Sequence, residues 1–354
     1  MKSNLKFFKK NKSLPIDKFF QSVLYDQKFG YYATKQPFGE KGDFITAPKI
    51  SILFSEIIAV WIISTWEFFG KPKNFNIIEL GPGDGSLSKT LIEVFRRFPK
   101  FNSAKKIYLY ETSNLLKNLQ KKNIQKNQVK WIKNFKDIND GPVIFFGNEF
   151  FDAIPIKQFK RENGHLFEKY FTLDKNNQIL EIYKKASKKD ITHINSYKSL
   201  KNLKFIEFPK YGLLELKKII KKILKSKGCL LMIDYGYLKP GNQNTLQSVI
   251  RHKKNYLLNN LGNADITSHV NFKLLIEFFL KSNLKVKKIM TQEKFLKNMG
   301  IIKRAETISK KMRFRDQSNM YLRIKRLLSP KLMGELFKVV LAYNSKSNKF
   351  FGFN

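Results

Sequence analysis

The sequence predicts an α/β protein built on a mostly parallel sheet, with a helical N-terminal segment and an inserted strand-rich region. From Asn74 onward, short apolar runs alternate with helical stretches of about a dozen residues, the sequence form of strand-helix-strand units. The first of these runs passes directly into a glycine-rich turn and then a helix. The stretch from Pro155 to about Lys210 breaks the rhythm and alternates apolar with polar residues, as antiparallel strands do.

Taken in order, Ile16–Tyr25 has helical apolar spacing and stops at a turn formed by Gly30, Tyr31 and Tyr32. A polar, glycine-containing loop covers Lys35 to Pro48. Ser51 opens a long apolar helix to Phe69, closed by Gly70, Lys71 and Pro72. Five strands follow, at Phe75–Leu80, Lys106–Glu111, Val129–Ile132, Val143–Asn148 and Cys229–Tyr235, with helices near Ser86–Phe98 and Asn114–Lys122. The insertion carries strands at Ile156–Arg161, His165–Leu173 and Ile179–Tyr183, and a helix follows at Leu213–Lys225. A helix around Phe272–Leu280, a strand at Leu284–Met290 and two or three further helices complete the chain. Four segments result: 1–73, helical with the glycine-rich loop; 74–155, a ligand-binding half-sheet; 156–210, the insertion; and 211–354, the rest of the core.

The 354 residues, 42% of them hydrophobic, suffice for one large domain or two moderate ones and exclude a disordered chain. Sixty-eight basic residues against 28 acidic ones give a net charge of +40. Such a balance suggests nucleic acid or an anionic surface. However, only nine of the basic residues are arginine (96, 97, 161, 251, 304, 313, 315, 323 and 326), and lysines occur in helices, strands and loops alike. With abundant Asn, Ile and Phe, this reads as a compositional bias, so the expected nucleic-acid affinity is the nonspecific, salt-sensitive part alone. A single cysteine, Cys229, excludes an intramolecular disulfide and sits in an apolar run. No segment reaches the roughly 18 apolar residues of a membrane span. The N-terminus, basic from Met1 to Lys12, has neither an apolar signal region nor a cleavage site. A cytoplasmic protein is therefore expected.

The sharpest motif is Ile77-Ile78-Glu79-Leu80-Gly81-Pro82-Gly83-Asp84-Gly85-Ser86, between a strand and a helix. Glycines at 81, 83 and 85 let the backbone turn and approach a ligand with no Cβ in the way. A phosphate loop needs Gly-Lys-Ser/Thr, which is missing here, and a dinucleotide loop would place its third glycine where Ser86 stands. Glu79, just ahead of the loop, would repel a pyrophosphate but can organise the loop or receive an ammonium group. Glu111, at the end of the second strand, is placed to accept both hydroxyls of an adenosine ribose. A ligand with ribose, ammonium and carboxylate but no phosphate is S-adenosylmethionine.

A second cluster, Asn148-Glu149-Phe150-Phe151-Asp152-Ala153-Ile154-Pro155, follows the fourth strand. Ligands of open parallel sheets lie beyond the carboxyl ends of the strands, so these residues are expected beside the cofactor's reactive end. Glu149 and Asp152, three apart, would share one face of a helical turn and hold a guanidinium through charge-assisted hydrogen bonds. Glu149 is the leading catalytic candidate, with Asp152 and Asn148 beside it. No His, Cys or Asp grouping has metal-ligand spacing, and no Ser/His/Asp set stands out.

With these residues in view the chain resembles the MidA family of methyltransferases. The resemblance runs from about Leu14 to the C-terminus. It rests on Tyr31-Tyr32, the run from Gly42 to Pro48, the two motifs just described, Asp234-Tyr235-Gly236, His252, Ala264-Asp265-Ile266-Thr267 and the run from Phe295 to Ile301. It implies a Rossmann-like class I methyltransferase fold and S-adenosylmethionine as cofactor, with Gly81, Pro82, Gly83 and Gly85 at its amino acid end and Glu111 at its ribose. Mitochondrial members of the family symmetrically dimethylate an arginine of a respiratory complex I subunit. A protein substrate of that kind is the expected partner, a homodimer is an open option, and a eukaryotic version would sit in the mitochondrial matrix.

The loop with Asp43, Phe44 and Thr46 resembles a lid or substrate-site wall, and Asp234, Tyr235 and His252 join it. Asn134 stands where many such enzymes carry an acid toward the adenine amino group, so adenine contact falls to Asn134 itself, to Asp137 or to backbone. His269 and Asn271 replace acids expected after Thr267. Two rivals differ in kind. One is methylation of another amide or amino nitrogen, since Asn148 followed by aromatics is similar to an Asn-Pro-Pro-Tyr arrangement; the missing prolines count against it. The other is a non-catalytic assembly chaperone that binds the cofactor for stability alone.

Overall fold

The computed structural model of the chain describes residues 5–8, 11–35, 37, 42–43, 45–346 and 348–353. They form two compact units. The sheet unit comprises Ile45–Phe150, Lys218–Gly236 and Ser282–Asn354; the hairpin unit comprises Met1–Phe44, Phe151–Lys217 and Tyr237–Lys281.

Strands of the sheet unit are β1 (Phe75–Leu80), β2 (Lys105–Tyr110), β3 (Lys130–Ile132), β4 (Val143–Asn148), β5 (Gly228–Tyr237), β6 (Lys285–Val286), β7 (Met290–Thr291) and β8 (Phe337–Asn344). Their order is β6-β8-β5-β4-β1-β2-β3, with β7 also on β8. The pairs from β5 through to β3 are parallel, whereas β8 is antiparallel to β5, β6 and β7. This is the doubly wound arrangement, and its order reverses between β1 and β4, the switch point at which ligands of such sheets lie. All six residues of β1 are buried, as expected of a parallel strand covered on both faces.

The apolar helix of the sequence spans Ile52–Phe68, capped by Ser51 Oγ, which accepts from Leu53 N–H at 3.3 Å. It is buried nearly all round, and it joins Leu91, Phe95, Phe101, Ile144, Leu231 and Leu341 in the core of this unit. Cys229 lies inside β5, fully buried, and burial pushes its thiol well above the ordinary range. Among the described residues no helix is long and apolar enough to cross a membrane.

Two expectations need correction. The strand expected at Leu284–Met290 is two separate two-residue bridges, β6 and β7. The long strand β8, which closes that side of the sheet, is not among the strands read from the sequence. Its unbroken run Phe-Lys-Val-Val-Leu-Ala-Tyr-Asn lacks the alternation that distinguishes a strand from a buried helix.

In the hairpin unit the antiparallel strands Ser13–Pro15, His165–Leu173, Lys157–Glu162 and Phe205–Phe208 form one sheet in that order, with Ile179–Lys185 also on His165–Leu173. Helix Ile16–Tyr25 buries Ile16, Phe19, Phe20, Val23 and Leu24 in a core with Phe171, Leu261 and Ile266. The N-terminal helix and the strand-rich insertion are therefore one packed body. A smaller sheet joins Lys253–Asn255, Gln247–Ile250 and Asp265–Thr267.

Candidate active site

In the sheet unit, β1 runs into Gly81, Gly83 and Gly85, all at positive φ (61°, 57° and 83°). Helix Ser86–Phe95 begins directly after them. Left-handed backbone of this kind is reached cheaply only by glycine. Glu79 is 3% exposed, and its carboxyl accepts a hydrogen bond from Ser88 Oγ on the first turn of that helix. Burial pushes Glu79 up to about 8, so at neutral pH it is chiefly protonated. Of its two expected roles, organising the loop is the one for which the structure provides the bonds.

Glu111 follows β2 directly. Its carboxylate accepts from Ser113 N–H at 2.7 Å and from Gln120 Nε2 at 3.3 Å. Burial raises its pKa, and these hydrogen bonds oppose the shift. The same Gln120 amide donates to Gly83 O at 2.8 Å, and Gln120 Oε1 accepts from Trp131 Nε1 at 2.8 Å. One fully buried side chain thus ties the glycine loop to Glu111. Asn123 Nδ2 adds a bond to Asp84 O at 2.8 Å, and Lys49 pairs with the Asp84 carboxylate. Sequence reasoning missed Gln120, because a glutamine inside a helix carries no motif. Asn134 and Asp137 are exposed just after β3, where Asn134 Oδ1 caps a short turn by accepting from Lys136 N–H at 3.0 Å.

At the end of β4 no helical turn forms. Glu149 takes a left-handed φ of 53°, held by its N–H donating to Ile233 O at 2.9 Å. For a non-glycine residue this conformation is uncommon, costs about 1–3 kcal/mol and clusters at functional positions. Asn148 Nδ2 donates to Glu149 Oε1 at 3.0 Å. Asn148 Oδ1 is buried and accepts no hydrogen bond among the described residues, so it is an acceptor that a ligand N–H would satisfy. The Phe150 ring lies against Gly81, where a Cβ would come within 3.0 Å of it. The glycine loop and Asn148-Glu149 therefore meet at neighbouring strand ends. Asp234 and Tyr235, expected as wall residues, are interior to β5 and buried; Asp234 Oδ1 accepts from Tyr235 N–H at 2.9 Å. Thr46 stands ahead of the short helix Ala47–Ile50. Phe44 lies outside the described residues.

The hairpin unit holds a group of carboxylates and tyrosines. Tyr31 OH donates to Asp43 Oδ2 at 2.5 Å, and Arg251 N–H donates to Asp43 Oδ1 at 2.5 Å. Arg251 and His252 form the two-residue turn between Gln247–Ile250 and Lys253–Asn255, both at positive φ (49° and 62°) without a glycine. Asp43 latches that strained turn, and His252 on it is exposed. Tyr32 OH donates to both oxygens of Asp265 (2.9 and 3.1 Å), and its ring stacks on Tyr25 at 5.2 Å. Asp265 is 4% exposed; burial, reinforced by the Asp152 charge, pushes it up to about 7. The Asp152 main chain is fixed by Ser268 N–H, which donates to its carbonyl at 3.0 Å. Asp265, Tyr31 and Tyr32 are among the residues that carry the family resemblance, but their spacing in the sequence implies no role.

The sheet order, the glycine loop at the switch point and the buried Glu111 define a class I methyltransferase with an S-adenosylmethionine site. Residues 57–290 match the model of a family of S-adenosyl-L-methionine-dependent methyltransferases. The chain belongs to that family, the MidA methyltransferases, and S-adenosylmethionine is its cofactor. Among its relatives, the mitochondrial protein arginine methyltransferase NDUFAF7 of Danio rerio is 26% identical over 94% of this chain and 84% of its own length. The Caenorhabditis elegans homologue is 30% identical over 77% and 69%. In fold the chain is similar to a protein from Burkholderia thailandensis crystallised with S-adenosyl-homocysteine. The TM-score is 0.83, at 21% identity over 97% of this chain and 90% of that one.

Proposed function

We propose that the protein transfers a methyl group from S-adenosylmethionine to a guanidinium nitrogen of an arginine in a protein substrate, with a subunit of respiratory complex I as the expected target. The observation that carries this is Glu149, a carboxylate on strained backbone at the switch point of the sheet, bonded to Asn148 and one strand from the glycine loop. The names of the relatives support arginine as the acceptor, and their mitochondrial designation supports the matrix for a eukaryotic chain. In a bacterial cell the same protein would be cytoplasmic.

Bound in this site, S-adenosylmethionine supplies an electrophilic methyl carbon on a sulfonium. Gly81, Gly83 and Gly85, at positive φ, would bend the backbone around its amino acid end, and Glu111, oriented by Gln120 and Ser113, would accept from the ribose hydroxyls. Asn148 Oδ1 accepts from a ligand N–H. A guanidinium is a poor nucleophile because its charge is delocalised and it stays protonated at neutral pH. Glu149 would draw the positive charge toward the nitrogens it binds, leave the lone pair on the attacking one, and take up the proton released as the N–C bond forms and the methyl–sulfur bond breaks. Asp43, Asp152 and Asp265 suit a cationic segment of the substrate.

The test is transfer of isotope-labelled methyl to extracted proteins, followed by hydrolysis and identification of the labelled amino acid. Labelled methylarginine, abolished by Glu149→Gln, supports the reading. Label confined to lysine, an amide or nucleic acid overturns it.

A further inference from the structure

The arginines are few, but they are not evenly placed: five of the nine fall between positions 304 and 326. That stretch also holds Lys310, Lys311 and Lys325 against two acids, Glu306 and Asp316. A bias toward lysine does not account for it. Arg304 is engaged, in a two-pronged pair with Glu56 at 2.8 and 3.1 Å. For Arg313, Arg315, Arg323 and Arg326 no ion pair exists among the described residues.

These residues lie on and just before helix Phe314–Leu328, which turns Ile324, Leu327 and Leu328 into the core of the sheet unit. At 100° per residue, Arg315, Leu322 and Arg326 share about 40° of arc on the opposite side. Leu322 there is 63% exposed, and Phe314, at the start of the helix, is 84% exposed. Large apolar side chains held in water beside unpaired arginines mark a contact surface. A second copy of the chain would oppose arginine to arginine. Nucleic acid would satisfy the charge but offers Leu322 and Phe314 no apolar phase. An anionic bilayer offers both, with lipid phosphates for the guanidinium forks and the acyl boundary for the apolar side chains.

We infer that helix Phe314–Leu328 docks the protein on an anionic lipid surface, with Arg315 and Arg326 on headgroup phosphates and Phe314 and Leu322 as shallow apolar anchors.

The experiment is flotation of the full chain with vesicles of phosphatidylcholine alone or mixed with phosphatidylglycerol. Binding to the mixed vesicles alone is expected. Arg315→Gln with Arg326→Gln should weaken it roughly twentyfold, from the strength of basic side chains near an anionic leaflet. Phe314→Ser with Leu322→Ser, which leaves the charge intact, should weaken it roughly tenfold. Lys221→Gln with Lys225→Gln, an equal charge change at exposed lysines of another helix, should have less than a roughly twofold effect. S-adenosylmethionine affinity reports that each variant is folded. Three results would overturn the inference. One is no binding to the mixed vesicles. Another is an equal loss in the lysine control, which makes the contact the field of the whole chain. The last is full binding by the serine variant, which makes it a purely electrostatic surface for nucleic acid or an acidic protein.

Discussion

The glycine-loop region of the sheet unit and the carboxylate group of the hairpin unit are built in opposite ways. The first is contiguous: strand, loop and helix within Phe75–Phe95, locked from one side by Gln120. The second draws Tyr31, Tyr32, Asp43, Asp152 and Asp265 from three distant stretches of chain. A contiguous site depends on what the backbone can adopt, and glycine spacing reports that directly. An assembled site depends on tertiary contacts, and its chemistry emerges only when the segments meet. The consequence is electrostatic as well. Glu79 is neutralised by burial and serves as a strut, whereas Asp265, pushed up to about 7, changes charge in the physiological range.

Substitutions should separate the two regions. Glu149→Gln should lower kcat about 10³-fold, the usual weight of a lost general base, with cofactor affinity within a few fold by calorimetry; an active variant would remove Glu149 from the chemistry. Gly83→Val puts a branched side chain at φ 57° and should weaken S-adenosylmethionine binding about 100-fold. Unchanged affinity would detach the loop from the cofactor.

Asp265→Asn should raise KM for the protein substrate about tenfold, as expected for a lost charge-assisted bond, and leave cofactor affinity alone. It also carries a pH signature. Because the folded Asp265 is raised above its ordinary 3.8, its contribution to stability is complete below about pH 4 and is lost as the pH rises through about 7. Unfolding titrations from pH 5 to 8 should therefore show a flatter decline in the variant. Binding of a cationic substrate should strengthen over the same window in the wild type.

Gln120→Ala should cut cofactor affinity about fivefold and cost roughly 1–3 kcal/mol of stability, the range for unsatisfied buried partners. The smallest effect belongs to Tyr32→Phe. Its hydroxyl lowers the Asp265 pKa, so the pH profile of substrate binding should move upward without loss of the cofactor site.

Much of this architecture was legible. The strands β1 and β4 fall where the apolar runs predict them, and β2, β3 and β5 within two residues. Glu79, Glu111 and the three glycines stand at the switch point because strand-end positions follow from topology. The rest was hidden for physical reasons. The β8 run is apolar without a break from Val339 to Tyr343, so its period is unreadable. The spacing of Glu149 and Asp152 suggests a helical turn, but the N–H of Glu149 bonds across to Ile233 and the backbone goes left-handed instead. Counting the arginines obscures the fact that over half of them share one stretch.

The central claim is that this glycine loop holds S-adenosylmethionine. Calorimetric titration of the purified protein with S-adenosylmethionine, S-adenosylhomocysteine and NAD tests it most directly. Micromolar binding of the first two and none of NAD is the predicted result. Binding of NAD, or heat from none of the three, would contradict it.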